Sequence, residues 1–250
     1  MKRIVVLPDI HTPNQHEPSI KSALQFIKFY KPDTLIQLGD FCDWDSVSSY
    51  DPSAEHEIQP IQYEVEEANA LLDRIDKIVG KKCTRIMLGG NHEARYEKFR
   101  VNQGFLVGIR RIKALTSWHE EYGLDRRGWE HVEYGENVKI GKVVFTHGWA
   151  SGSNSGLDMS RRFPGRNVIY GHTHQHIVYG CMDENQLPIE CESIGTLSKF
   201  NLSYLNGKPP YNWINSFMYI DMNEDGTFSK HFVRVINGQF TEFGRLFKAC

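Results

Sequence analysis

Four segments of the chain share one pattern, a run of β-branched and apolar residues that ends in glycine or a sharp polar turn and then in acidic, amide or imidazole groups. They are Arg3–His11 (RIVVLPDIH), Thr34–Asp43 (TLIQLGDFCD), Thr84–Glu93 (TRIMLGGNHE) and Asn167–His174 (NVIYGHTH), and Lys142–Gly148 (KVVFTHG) follows the same course with less glycine. Short, continuous apolar runs of this kind predict strands buried on both faces. Between the early strands the period changes. Ile20, Ala23, Leu24 and Ile27 recur at helix spacing, as do Ile61, Val65, Ala68, Leu72, Ile75 and Val79, with Gly80 as a stop. Strand–helix–strand alternation predicts right-handed crossovers and a parallel core sheet, in which ligands gather beyond the carboxyl ends of the strands. Later segments, Ile177–Cys181, Leu187–Ser193, Ser216–Asp221 and Phe228–Ile236, alternate more and are joined by turns such as Asn223-Glu224-Asp225-Gly226. They predict antiparallel strands, a hairpin and a second, mixed sheet. No repeat or linker interrupts the chain, so one domain over residues 1–250 is expected.

Composition narrows the class. Apolar residues make up 40% and charged residues 24%, which supports a buried core and excludes wholesale disorder. Basic residues number 29 against 31 acidic ones, a net charge of -2, so the broad positive field of a dedicated duplex-DNA binder is missing. The N-terminal apolar run Ile4–Leu7 stops at Pro8, too short for a signal peptide or a membrane span. Cys42, Cys83, Cys181, Cys191 and Cys250 are odd in number and form no C-x-x-C pair. A reduced, cytoplasmic protein is expected, with no disulfide framework, no cysteine-based zinc knuckle and no membrane partner.

The chemistry sits at the strand ends. Asp9 and His11, two residues apart, converge if the strand continues, although a lone D-x-H is usually chance. Asp40 and Asp43 in GDFCD put carboxylates at a tight turn, which alone reads equally as a solvated acidic turn or a helix N-cap. Asn91 and His92 add an amide and an imidazole, and His147, His172 and His174 complete the set. Five strand ends supplying Asp, His and Asn are hard to explain as packing, because buried charges without a metal or counter-ion are costly. These donors suit divalent ions of the hard to borderline kind.

Taken in order, DIH at 9–11, GDFCD at 39–43, GNHE at 90–93, THG at 146–148 and GHTH at 171–174 resemble the signature of the calcineurin-like metallophosphoesterases. The segment Asn212–Phe217 is similar to the tail of phage-type members. The resemblance implies an α/β fold, a four-layer α/β/β/α sandwich of two mixed sheets, and two divalent metal ions, manganese first, with Fe, Zn, Ni or Co as the other choices. It implies Asp9, His11, Asp40 and His174 around one ion and Asp40, Asn91, His147 and His172 around the other, with Asp40 shared. His92 would assist the leaving group, oriented by Asp43. The implied reaction is phosphoester hydrolysis, a bridging hydroxide attacking phosphorus in line.

The chain departs from the protein serine/threonine phosphatase branch, where arginines flank the second and third motifs. Here Trp44 and Asp45 follow GDFCD, and Gly89 precedes GNHE; only Arg95 fits that branch. This tilts the expectation slightly toward phosphodiesterase or nuclease-like activity, with a nucleotide or short nucleic acid as substrate, over phosphomonoesterase activity. A metal-free protein-binding scaffold and a mononuclear zinc hydrolase are the competing classes. Ser151–Gly156 (SGSNSG) followed by Arg161, Arg162 and Arg166 reads either as a mobile lid delivering a guanidinium to phosphate or as an ordinary loop and helix. Trp44 is expected to pack against a loop, Cys42 to be a buried thiol, and Lys199–Trp213 to roof the site. His16, His56, His119, His131, His176 and His231 match no motif and are expected at the surface or as caps, His176 being the nearest to the ligand pair. The oligomeric state is not legible in the sequence.

Overall fold

The computed structural model describes residues 1–48, 59–102, 116–202, 205 and 210–249. One sheet has six strands in the order β11 (Phe228–Arg234), β10 (Ser216–Met222), β1 (Lys2–Leu7), β2 (Thr34–Gln37), β3 (Thr84–Leu88) and β4 (Glu130–Val132). The other has five, β5 (Val138–Ile140), β6 (Val143–Thr146), β7 (Asn167–Tyr170), β9 (Pro188–Ile194) and β8 (His176–Met182). Strands β1 to β4 run parallel, as do β6, β7 and β9, while β10, β11, β5 and β8 are added antiparallel. Both sheets are therefore mixed.

Alternation within the apolar runs sets the layers. Ile4, Val6, Ile36, Ile86 and Leu88 point into a core between the sheets, where they meet Val143, Phe145 and Ile169. Val5, Leu7, Leu35 and Met87 point the other way, under α1 (Glu17–Tyr30) and α2 (Ile61–Val79). Val144 and Val168 pack with Met159 of α6 (Ser155–Arg162) on the far side. The order is helices, sheet, sheet, helix, the four-layer arrangement expected.

Helices α1 and α2 carry the periodic residues read from the sequence, and their ends have local causes. In α1, Pro18 occupies the first turn, and Lys31 closes the helix in a left-handed conformation with its N–H on the Ile27 carbonyl at 2.9 Å. Helix α2 stops at Gly80. Among the described residues no helix is long and apolar enough to cross a membrane.

Two expectations need correction. The late hairpin β10–β11 does not belong to the second sheet but extends the first, β10 pairing antiparallel with β1 from Lys2↔Met222 to Val6↔Met218. The reason is packing: β10 is buried along almost all its length, and Met218, Ile220 and Met222 complete the intersheet core. A helix also starts directly at the third motif, α3 (Asn91–Asn102), where only a strand end was read.

Candidate metal centre

All the candidate ligands follow the carboxyl ends of parallel strands: Asp9 and His11 after β1, Asp40 after β2, Asn91 after β3, His147 after β6, His172 and His174 after β7. The chain turns sharply there. His11, Asp40, His172 and His174 have φ of 56°, 48°, 67° and 59°. Left-handed backbone costs an L-residue about 1–2 kcal/mol, so four such residues in one place mark a site where side-chain placement outranks local comfort. Asp9 and His11 thus converge through a turn at His11, not through a continued strand. The neighbouring glycines make room. A Cβ on Gly90 would lie 2.1 Å from Asp40 Oδ1, and one on Gly171 would lie 2.2 Å from Asp9 Oδ1.

These turns bring the residues into two adjoining groups. In the first, His174 Nε2 is 3.0 Å from Asp9 Oδ2 and 3.0 Å from His11 Nε2. In the second, Asn91 Oδ1 is 3.0 Å from His147 Nε2 and 2.8 Å from His172 Nδ1, and Asp40 Oδ2 is 3.4 Å from His147 Nε2. The same Asp40 oxygen is 3.8 Å from His11 Nε2, so one carboxylate faces both groups. His11 donates from Nδ1 to Asp43 Oδ1 at 3.0 Å, and His147 donates from Nδ1 to the Leu38 carbonyl at 2.9 Å. Each ring therefore presents Nε2 to the centre.

The donor set fits divalent cations. Two imidazole nitrogens 3.0 Å apart, as in His11 and His174, call for a proton or a cation between them. His174 Nδ1 is buried with no hydrogen-bond partner among the described residues. Burial opposes charge on His147, yet Asp40, Asp9 and Glu93 hold its imidazole up to about 9. That negative field is equally available to a bound ion. The ligand types are imidazole, carboxylate and amide oxygen. Cys42 lies nearby as the buried thiol expected, and burial pushes its thiol well above the ordinary value.

Behind the two groups stands a buried pair. Asp43 Oδ1 is 3.2 Å from His92 Nδ1, the backbone carbonyl of Asp43 is 2.5 Å from the same nitrogen, and Asn14 Nδ2 donates to Asp43 Oδ2 at 2.6 Å. Asp43 thus orients His11 as well as His92, a double role that the motif alone does not reveal. Burial works against its charge, but the hydrogen bonds from His11 and His92 hold the carboxyl well below the carboxylate range. Burial likewise opposes a charged His92, and Asp40 and Asp43 outweigh it, holding the imidazole up to about 9. Arg95 Nη2 lies 3.3 Å from His92 Nε2.

Sequence reasoning missed Glu93. Its Oε2 accepts the N–H groups of Asp40 and Gly90, both at 2.8 Å, and its Oε1 accepts those of Phe41 and Cys42 at 3.1 and 3.3 Å and the Tyr122 hydroxyl at 3.0 Å. A single carboxylate clamps the turn carrying Asp40 to the start of α3. The only sequence signal is its place in GNHE.

The remaining residues sort as follows. Trp44 is buried and packs, but against helix α3 where a loop is expected, stacking on Tyr96 at 4.1 Å. SGSNSG runs into α6, with Ser155 bonded to the Tyr170 hydroxyl at 2.9 Å, a loop followed by a helix. Arg162 lies over the Trp149 ring at 4.2 Å, and its charge reaches Tyr134, which in turn feels Asp40. Arg161 sits 3.9 Å from Asp158 on its own helix, and Arg166 is exposed. His16 precedes α1 and contacts Ser19; His176 stacks on Phe232 at 3.6 Å and pairs with Glu192 at 2.9 Å. His231 is exposed on β11 against Tyr219. His119 and His131 are half-buried and stacked at 4.0 Å beside Glu133, neither plain surface nor caps. His56 lies outside the described residues.

With this geometry goes a family. The chain belongs to the calcineurin-like phosphoesterases, whose family model matches residues 2–176. It is 25% identical to the Gene 54 protein of Mycobacterium phage L5 and 26% identical to the Gene 54 protein of Mycobacterium phage D29, over 99% of both chains in each case. Among solved structures, Vps29 of Chaetomium thermophilum aligns with a TM-score of 0.45 at 10% identity, covering 94% of this chain and 98% of that one. GAP50, the anchor in the inner membrane complex of Plasmodium, aligns with a TM-score of 0.44 at 10% identity, covering 99% and 88%.

Proposed function

We propose that the chain is a two-metal phosphoester hydrolase with a preference for phosphodiesters. The observation that carries this reading is Asp40: one carboxylate oxygen 3.4 Å from His147 Nε2 and 3.8 Å from His11 Nε2, a ligand shared between two groups. Asp9, His11, Asp40 and His174 would hold one ion, and Asp40, Asn91, His147 and His172 the other, with Mn²⁺ the ion proposed first. When bound, such ions supply Lewis acidity for the phosphoryl oxygens and an acidified water. Asp40 and Asp43 favour the charged form of His92, which in this reading gives a proton from Nε2 to the departing alkoxide. Asp43 fixes the ring by accepting from Nδ1. Glu93 keeps Asp40 in register with Gly90. The whole chain acts as one domain in this reading, because β10 and β11 from its last third complete the sheet that β1 begins.

The second reading is a phosphomonoesterase, favoured by Arg95, whose guanidinium beside His92 suits a dianionic monoester. A hydrolysis panel with Mn²⁺ decides between them: bis-p-nitrophenyl phosphate, p-nitrophenyl phosphate, cyclic nucleotides and short DNA and RNA. Faster turnover of diesters is expected; a monoester preference of tenfold or more overturns the first reading. Elemental analysis tests the shared ligand. Wild type should carry two ions per chain, and Asp40→Asn should lose occupancy at both sites. Full two-metal occupancy in Asp40→Asn removes the bridging assignment, and no metal in wild type returns the chain to the scaffold class.

A further inference from the structure

A groove of about 520 Å³ opens beside the first ligand group, lined among others by Lys199, Phe200, Asn201, Trp213, Arg234 and Asn237. It is joined to the centre through side chain and backbone. The Trp213 ring meets the His174 imidazole edge-on, 4.1 Å between centroids, and Phe200 stands across from Trp213 at 6.2 Å. The Ile214 N–H donates to the His174 carbonyl at 3.0 Å and the Leu197 N–H to the Asp9 carbonyl at 2.7 Å. The Lys199 N–H donates to the Asn14 carbonyl at 2.8 Å, and the Asn14 side chain holds Asp43. The groove wall and the candidate centre are thus tied together by backbone hydrogen bonds between neighbouring segments.

Its chemistry differs from that of the centre. The lining holds two cations, Lys199 and Arg234, both exposed, and no aspartate or glutamate among the described residues. Two aromatic rings line the same groove, Phe200, 39% exposed, and Trp213, whose ring meets His174. A flat ring that carries an anion fits this set of groups, the ring against Phe200 and Trp213 and the anion at Lys199 or Arg234. The volume suits a nucleotide-sized ligand, not a length of duplex.

We propose that the groove binds the nucleoside beside the scissile phosphate, so that the substrate class of the hydrolase is a nucleotide diester. This rests on the phosphoester-hydrolase reading for the position of the phosphate, while the binding of the base stands on the groove alone. The base stacks on Phe200, and Lys199 and Arg234 meet the next phosphate of a short strand.

The test is calorimetric titration of the metal-loaded protein with AMP and with ribose 5-phosphate, which differ only in the base. AMP should bind about tenfold tighter or better, the scale of one base–aromatic stack. Phe200→Ala should erase that ratio. Arg234→Ala should weaken binding of 5′-phosphorylated diadenylate and lower the slope of its salt dependence by about one. Both side chains are exposed, so the variants should fold, and thermal melts check this. Equal affinity for AMP and ribose 5-phosphate in wild type, or a ratio that survives Phe200→Ala, overturns the proposal. The two readings fail separately. Cleavage of bis-p-nitrophenyl phosphate without any preference for AMP removes the groove and keeps the hydrolase; a Phe200-dependent preference without cleavage of any ester does the reverse.

Discussion

Asp9, Asp40 and Asp43 are buried as completely as Phe26, Phe217 and Phe247, yet burial means opposite things in the two places. Under α1, Phe26 lies between Tyr30, Phe217, Tyr219 and Phe247 at centroid distances of 5.1–5.5 Å, with the hairpin β12 (Gln239–Glu242) and β13 (Arg245–Lys248) closing over it. Each such ring contributes about 1.5–3 kcal/mol of apolar burial. At the strand ends the same exclusion of water costs several kcal/mol per ion before partners repay it, and four left-handed residues add strain. The aromatic layer thus adds to the stability of the fold, whereas the centre draws on it. Substitutions in the two regions should therefore separate rate from stability.

The largest separation is expected at His92. His92→Ala should retain both metals and lose about 10²–10⁴-fold in kcat, the usual scale for a general acid. The loss should steepen with the pKa of the leaving group, since p-nitrophenolate needs a proton least and a nucleoside alkoxide most. A uniform loss across a leaving-group series points to charge stabilisation instead, and loss of metal removes His92 from its place outside the ligand set.

Next comes the counterpart, Phe26→Ala. Removing a ring that is wholly buried should cost about 3–5 kcal/mol in urea unfolding, while kcat per folded molecule stays as in wild type. If the rate falls while stability holds, the aromatic layer and the centre are not separate devices.

How much of this contrast is legible in the sequence follows from the same physics. Doubly buried strands announce themselves because both faces need apolar residues, which is why β1, β2, β3, β6 and β7 can be read directly. Helices α1 and α2 show their periodic faces, and α2 its stop at Gly80. Helix α3 does not, because only His92, Glu93 and Tyr96 of its side chains are buried and no apolar stripe forms. The hairpin β10–β11 is visible as a hairpin, but its sheet is decided by a partner, β1, at the other end of the chain. Ligand types can be read from the motifs. The clamp by Glu93, the sharing of Asp43 between His11 and His92, and the approach of Trp213 to His174 depend on distances that no local pattern encodes.

A smaller effect sharpens the comparison by pH. Burial pushes the Glu64 carboxyl up to about 7, against the Ser46 hydroxyl and the Asp45 and Ser46 N–H groups that favour its charge. A folded value above the unfolded 4.5 means that its stabilising contribution is complete below about 4.5 and is lost as pH rises through about 7. Glu64→Gln cannot titrate. The stability of wild type relative to Glu64→Gln should accordingly grow by about 1–3 kcal/mol between pH 8 and pH 5, whereas Phe26→Ala should show a constant deficit over that range. A flat difference for Glu64→Gln would mean that the carboxyl is ionised throughout.

The smallest effect concerns the arginines after the fourth motif and asks how far the centre extends beyond its ligands. Of the exposed Arg161, Arg162 and Arg166, Arg162 is the one that lies over an aromatic ring, that of Trp149, two residues from His147, with its charge felt at Tyr134. Stacking on Trp149 holds the guanidinium without consuming its N–H donors, so they can meet a phosphoryl oxygen. Arg162→Ala should lower kcat/KM by about tenfold, mostly through KM, because a positioning contact of this kind acts on bound substrate and transition state alike. Arg161→Ala and Arg166→Ala should change it less than twofold. Arg162→Lys should recover part of the loss by charge but not the planar stack. Melting temperatures should stay together across all four variants, since none of these side chains enters the aromatic layer. Equal kinetics for Arg162→Ala and wild type would confine the centre to its strand ends and leave α6 as a connector. A loss in Arg161→Ala or Arg166→Ala that matches Arg162→Ala would instead point to a diffuse positive face, with slopes against salt concentration similar for all three.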